Sequence, residues 1–333
     1  MTSLTPPDIR PGTDNDGPGL IALIWSCWSR YPGIRMDVDR EMPELHALAS
    51  YYADQGGMLW IAEGRDGPVG MIAARPAADG AWEICRVYVA PALHGGGLGH
   101  RLLDVAEAFA MAGGAERLVL WSDTRFDRAH GFYEKRSYVR QGAIRVLNDI
   151  SNSLEYGYAK PVNGAMLLDI AAATAASRRL GEILATCVEA GAPMAFLPPL
   201  APDRAAAFYR RTASEIGSGK RLLVAAWRNA VLVGSGTLDL DMPENQRHRA
   251  EMQMVLVHPP TRRLGIGRMI VRTLEQQAAA SGRTLLTLNT RADDAGESLF
   301  RVLGWQEAGR IPGYAVDAGG VAHATLFFWK ALA

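Results

Sequence analysis

The feature that most constrains this chain is that it repeats itself. Val87-Tyr88-Val89-Ala90-Pro91 leads into His94-Gly95-Gly96-Gly97-Leu98-Gly99-His100. Val255-Leu256-Val257-His258-Pro259 leads into Arg262-Arg263-Leu264-Gly265-Ile266-Gly267-Arg268. Glu83 and Glu251, Pro91 and Pro259, Gly97 and Gly265, and Gly99 and Gly267 are each 168 residues apart. Farther on, Leu118 and Leu285, Tyr133 and Phe300, and Tyr138 and Trp305 are 167 apart, so one residue is lost after the glycine-rich segment. An offset that holds across a strand, a loop and a later helix, and is near half of 333 residues, indicates two copies of one fold. The junction is expected near Lys160 to Gly164, where Pro161, Asn163 and Gly164 separate two apolar runs. This gives domains 1–162 and 163–333.

Period and punctuation supply the elements. In the first copy a helix covers Ile21 to Cys27 after Asp14 or Asp16. Strands cover Met58 to Ala62 and Val69 to Ala74, joined by a turn at Gly64-Arg65-Asp66-Gly67. Trp82 to Val89 alternates as a strand and Leu98 to Ala112 is an amphipathic helix. Leu118 to Trp121 is a strand, Arg128 to Lys135 a short helix, and two β segments end near Tyr158. The second copy opens with a helix from Asp169 to Ala190, capped by Asp169, with Leu167 and Leu168 counted on its apolar face. It continues with Arg221 to Ala226, Val231 to Thr237, Met252 to Val257, Ile266 to Ala280, Leu285 to Leu288 and Ser298 to Leu303. Each copy is thus expected to be an α/β fold with a mixed sheet.

Composition narrows the function. Thirty-five basic and 35 acidic side chains balance, which removes the electrostatic case for a nucleic-acid or anionic-membrane binder. Cys27, Cys85 and Cys187 form neither a disulfide framework nor a zinc spacing, so a cytoplasmic location is expected. His46, His248, His258 and His323 lack metal-ligand spacing, and no metal is expected. The N-terminus has no signal-peptide core, and no apolar run reaches the ~20 residues of a membrane span.

A strand, a glycine-rich turn and a long helix make an anion site. Glycines let backbone approach the ligand, and the first helical amides point outward with about half a positive charge behind them. Neither copy has the Lys-Ser/Thr of a P-loop, and the loop follows a later strand than in a dinucleotide fold. A tight turn that binds nothing is the plainer alternative, and two equivalent loops weigh against it.

The pattern Arg/Gln-x-x-Gly-x-Gly/Ala after such a strand resembles the acetyl-coenzyme-A signature of the GNAT N-acetyltransferases. Arg262, Gly265 and Gly267 fit it fully, whereas His94 departs from it in the leading position. The whole chain therefore looks like a tandem of two GNAT acyl-CoA N-acyltransferase folds. The resemblance implies acetyl-CoA as cofactor. It implies that the strands Val87-Tyr88-Val89 and Val255-Leu256-Val257 hold the pantetheine arm, through the amides of Val87, Val89, Val255 and Val257. The amides of Gly95 to His100 and of Arg263 to Arg268 would hold the pyrophosphate. Within the second copy, Leu285 to Thr290, Ile311-Pro312-Gly313-Tyr314 and Phe328-Trp329-Lys330-Ala331-Leu332 resemble the tabtoxin-resistance type of acetyltransferase, which acts on a small amino-acid-like toxin.

Acetyl transfer to an amine needs a base for the amine and an acid for the leaving thiolate, each typically worth ~10² to 10⁴ in rate. By resemblance Tyr133 occupies the acid position, and Phe300 fills it in the second copy. An aromatic packing role is the alternative for Tyr133. Glu83 and Glu251 precede the Val-x-Val segments, where several branches of the family place a base. Pairing with an arginine such as Arg86 is the alternative for Glu83. Asn289 stands where the tabtoxin-resistance type has an aspartate, which leaves it a coenzyme contact. Cys85 reads as buried packing and His130 as an exposed helix residue. Trp25 and Trp28 either wall an acceptor pocket or belong to the core.

The reading that follows is an acetyl-CoA-dependent N-acetyltransferase for a small-molecule amine, with Tyr133 and Glu83 as acid and base in the first copy. A second version places the chemistry in the second copy. The rival is an acyl-CoA sensor with one or both copies inactive. A monomer or homodimer is expected, with no nucleic-acid or membrane partner.

Overall fold

A computed structural model describes residues 7–332. These divide into two compact units, residues 7–132 with Gln141–Val162 and Tyr133–Arg140 with residues 163–332. The strands of the first copy are β1 (Asp8–Pro11), β2 (Met58–Gly64), β3 (Gly67–Pro76), β4 (Ala81–Val89), β5 (Arg117–Asp123), β6 (Val139–Val146) and β7 (Leu154–Pro161). Its helices are α1 (Gly17–Trp28), α2 (Val38–Glu41), α3 (Leu48–Ala53), α4 (Leu98–Ala112) and α5 (Asp127–Lys135). The second copy has β8 (Gly164–Leu168), β9 (Arg221–Arg228), β10 (Val231–Asp239), β11 (Arg249–Val257), β12 (Leu285–Arg291), β13 (Gln306–Val316) and β14 (Ala322–Ala331). Its helices are α6 (Ile170–Glu189), α7 (Pro202–Gly217), α8 (Ile266–Ala280) and α9 (Ala295–Val302).

The two seven-stranded sheets share one topology, β1-β2-β3-β4-β5-β7-β6 and β8-β9-β10-β11-β12-β14-β13. In each, β4 or β11 runs parallel to the next strand and antiparallel to the preceding one. Helices cover the first sheet on both faces. Trp60 and Trp82 meet Phe109 of α4 edge-on at 5.1 and 5.5 Å. Leu59 and Ile61, flanking Trp60 on β2, point the other way and pack with Leu20, Ile24, Leu48 and Tyr52. α4 buries Leu98, Leu102, Leu103, Ala106 and Ala110, and α8 buries Ile266, Ile270, Val271, Leu274 and Ala278. The same stripe therefore recurs 168 residues later, which is why both helices adopt their expected bounds.

Three sequence expectations need correction. Leu167 and Leu168 lie on β8, paired with Val224 and Leu223, and not on a helix. Ladder hydrogen bonds to β9 outweigh the local apolar pattern there, and Asp169 caps α6 by accepting from the Ala172 amide at 2.8 Å. β1 and α7 had no counterpart in the sequence reading. The register also moves the missing residue. Arg117 pairs with Ala81 and Leu285 with Arg249, so Leu118 corresponds to Leu286, both fully buried. The deletion falls between β12 and α9.

Candidate functional site

In each copy the site begins with a bulge. Arg86 and Met254, 168 residues apart, have φ of 53° and 54°, in the left-handed region. The ladder with the preceding strand slips beside them, between Met71 and Ala73 and between Ser235 and Thr237. A bulge bends its strand. Here the bend carries β4 and β11 away from their parallel neighbours. β4 pairs with β5 only over Ala81 to Glu83, and β11 with β12 only over Arg249 to Glu251. From there to Val89 and Val257 the edge is unpaired on that side. Such an edge, holding Val87, Tyr88, Val89, Val255, Leu256 and Val257, can take an extended amide-bearing ligand like an added strand.

At the end of each open edge lies the glycine loop. Gly95 and Gly97 have φ of 84° and 83°, and Arg263 and Gly265 of 65° and 81°. A Cβ on Gly95, Gly97 or Gly265 would meet nothing within 4 Å, so the loop's outer face is open. Gly97 and Gly265 are the N-caps of α4 and α8, and neither helix receives a side-chain cap. The first helical amides, from Leu98, Gly99 and His100 and from Ile266, Gly267 and Arg268, thus face an open cradle that suits a pyrophosphate.

The leading residue of each loop turns back onto its own strand. His94 Nε2 donates to the Val89 carbonyl at 2.9 Å, and Arg262 Nε donates to the Val257 carbonyl at 3.3 Å. The same carbonyls receive a thiol in both copies, from Cys27 and Cys187, each at 3.4 Å. Burial raises both thiol pKa values. His94 therefore reproduces the structural contact of the arginine but leaves one ring nitrogen where Arg262 leaves two Nη groups.

In the second copy a cleft of about 840 Å³ runs from this loop past Val255 and Val257 to Glu251, with Asn289, Phe300 and α7 on its walls. Glu251 makes no side-chain hydrogen bond or ion pair among the described residues. Its counterpart Glu83 is held by Arg75, whose Nη2 and Nε lie 2.7 and 2.9 Å from one carboxylate oxygen. Arg86 is bound elsewhere, to Glu44 at 2.5 Å. Asn289 is exposed on β12. Tyr133 is buried, edge-on to Tyr138 at 6.1 Å, and Phe300 is buried likewise against Trp305 at 5.7 Å.

The sequence profile of the acetyltransferase (GNAT) family matches residues 19–138 and again 192–305. The chain belongs to the GNAT acetyltransferase family. It carries two copies of the GNAT fold. Among solved structures it resembles a Salmonella typhimurium protein described as an acetyltransferase and determined with acetyl-CoA, at 19% identity over 51% of this chain and 94% of that one, with a TM-score of 0.44. A ribosomal-protein-alanine N-acetyltransferase of Brucella melitensis matches at 23% identity over 50% and 99%, TM-score 0.44. A phosphinothricin acetyltransferase of Sinorhizobium meliloti, solved with acetyl-CoA, matches at 22% over 50% and 88%, TM-score 0.44. GNAT enzymes take acetyl groups from acetyl-CoA, and both glycine loops have the open backbone that this cofactor's phosphates require.

Sequence reasoning missed several residues of the second GNAT cleft. Phe208 and Arg211 come from α7, and Arg221 and Cys187 complete the wall. The buried Ala205, Ala206, Tyr209, Thr212 and Ala213 have helical spacing, with Pro202 at the first turn, and that pattern was the available signal. His130 is buried, not exposed, with Nε2 donating to the Asp123 carbonyl at 3.0 Å. Cys85 is a packing residue whose thiol is pushed up to about 12 by burial and by Glu83. Trp28 donates to the Tyr88 hydroxyl at 3.0 Å, while Trp25 is 47% exposed. No helix among the described residues is long and apolar enough to cross a membrane.

Proposed function

We propose that the protein is an acetyl-CoA-dependent N-acetyltransferase that acts on a small-molecule amine by direct transfer, with its chemistry in the second of two domains, 1–162 and 163–333. The observation that carries this reading is the contrast between the two glutamates. Glu251 lines a cleft and has no cation on it, whereas Glu83 is neutralised by Arg75. A carboxylate with no cation on it can accept the ammonium proton of an acceptor; one bridged to a guanidinium is a poor base.

Acetyl-CoA supplies the acyl thioester. The open edges of Val87 to Val89 and Val255 to Val257 hold its pantetheine arm. The backbone from Gly95 to His100 and from Arg263 to Arg268, with Arg262, holds its phosphates. Asn289, exposed in the cleft, is a further contact. Phe300 cannot donate a proton, so the thiolate of the second copy is protonated by solvent. Tyr133 is the acid of the first copy on the family correspondence.

A second reading gives the first copy a binding role, as an acyl-CoA sensor, and it rests on the Arg75–Glu83 pair together with His94. One experiment separates the versions. With a fixed acceptor, Glu251→Gln is expected to lower kcat by ~10² to 10⁴ at unchanged KM for acetyl-CoA. Glu83→Gln and Tyr133→Phe are expected to leave kcat unchanged. A fall in kcat with Tyr133→Phe, and none with Glu251→Gln, places the chemistry in the first copy.

A further inference from the structure

The charged side chains of the second cleft pair off almost completely. Arg221 is held by Glu215 at 2.5 Å and by Asp239 at 3.2 Å, and its Nη1 donates to Gln253 at 2.9 Å. Arg291 pairs with Asp294 at 3.3 Å. Three arginines, 262, 263 and 268, surround the glycine loop. This leaves one anion and one cation unmatched at the acceptor end: Glu251, and Arg211 on α7.

The two are linked along one wall. Arg211 lies one helical turn before Glu215, which holds Arg221. Arg221 holds Gln253, and Gln253 shares a strand face with Glu251. Arg211 has no carboxylate partner among the described residues. Its guanidinium lies 5.7 Å from the centroid of the Phe208 ring, above the apolar part of the wall. Met194 and Met254 line the same cleft.

We infer that the second domain acetylates an amine that also carries a carboxylate, a small amino acid with an apolar side chain. Its amine meets Glu251, its carboxylate meets Arg211, and its side chain rests against Phe208, Met194 and Met254. Such a zwitterion compensates both unmatched charges at once, which a simple amine or a diamine does not. A thioether-lined wall adapts to linear and aromatic side chains alike. The transfer step is the one already proposed: the amine nitrogen forms the bond to the acetyl carbon, the carbon–sulfur bond breaks, and the amine proton passes to Glu251.

This inference rests on the reading of Glu251 as the acceptor-facing base, and its test keeps the two apart. The full-length protein is assayed with acetyl-CoA and L-leucine, L-methionine or L-phenylalanine, each against its α-amide. The amide's amine is the less basic and the more readily deprotonated, so a preference for the acid cannot come from amine reactivity. The acid is expected to be favoured about tenfold in kcat/KM, the usual weight of a charge-assisted contact. Arg211→Ala should remove that preference by raising KM for the acid while leaving kcat and the amide's constants unchanged. Arg211→Lys should restore part of it. In parallel, L-methionine binding to the coenzyme-A complex is measured by calorimetry for both proteins, a readout that needs no turnover.

Transfer to acid and amide alike overturns the inference and leaves the transferase reading standing. Methionine binding that is lost in Arg211→Ala without any transfer supports the recognition and overturns the transferase reading. Equal methionine binding by the two proteins, or none, overturns the inference.

Discussion

A single guanidinium distinguishes the two glutamates. Both are plain in the sequence at the same offset, but Arg75 is not recognisable as a partner until β3 and β4 are registered, which sets Arg75 opposite Glu83. In the second copy Asp239 stands opposite Glu251, so no cation is available from that strand. His94 was likewise visible as a departure, yet its bond to the Val89 carbonyl depends on how the loop folds back. Ion pairs of this kind also carry stability. Arg10 holds Asp16 at 2.8 Å, and this, with the Thr13 bonds, lowers the Asp16 carboxyl to about 2. A folded-state pKa below the unfolded value contributes stability above about 4 that is lost as pH falls through about 2. Because Arg10 is 40% exposed, we discount the effect to about 1 kcal/mol. Asp16→Asn should therefore lower the urea midpoint at pH 7 and lower it less at pH 3. An equal loss at both pH values would show that the charge contributes nothing.

At the scale of elements, legibility followed amphipathic order. α4 and α8 carry five-residue apolar stripes that specify both bounds, and the glycine turns mark where they start. β1 and β8 are edge strands of four and five residues whose existence depends on a distant partner, β2 or β9. One clamp between elements is duplicated and was not seen in the sequence. Lys160 on β7 reaches Glu107 on α4 at 2.9 Å, and Lys330 on β14 reaches Glu275 on α8 at 2.9 Å. The side chains of the first pair are only 2% and 7% exposed. Removing the cation there leaves a buried carboxylate without its counter-charge, so Lys160→Met should cost about 3–5 kcal/mol. Replacing both partners, Glu107→Leu with Lys160→Met, should recover most of that loss. Lys330→Met should cost less, since the second pair is more exposed and Trp305 Nε1 still donates to Glu275 at 2.9 Å. Urea denaturation of the four proteins checks the order. A double variant no more stable than Lys160→Met alone would mean that the volume, not the charge, is what the site requires.

For the whole molecule, the repeat was readable because GNAT architecture depends on a strand, a glycine turn and a helix held at fixed spacing. What the repeat did not disclose is how unequal the copies are. Both retain the bulge, the open edge, the uncapped helix and the thiol on the last valine carbonyl. They differ in what is left for the phosphates once that carbonyl is satisfied. Arg262 spends Nε and keeps two Nη groups; His94 spends Nε2 and keeps Nδ1. Since most of the cradle is backbone and common to both, two coenzyme-A sites of unequal affinity are expected, the weaker in the first copy. The lost charge-assisted contact is worth about 1 kcal/mol at an exposed loop, or about fivefold in Kd. Calorimetric titration of the full chain with coenzyme A should give a stoichiometry of two. His94→Arg should tighten the weaker site by about that factor and leave the stronger unchanged. Arg262→His should bring the stronger site toward the weaker. If the stoichiometry is one and only Arg262→His alters it, the first copy has kept the fold of a coenzyme site without its occupancy.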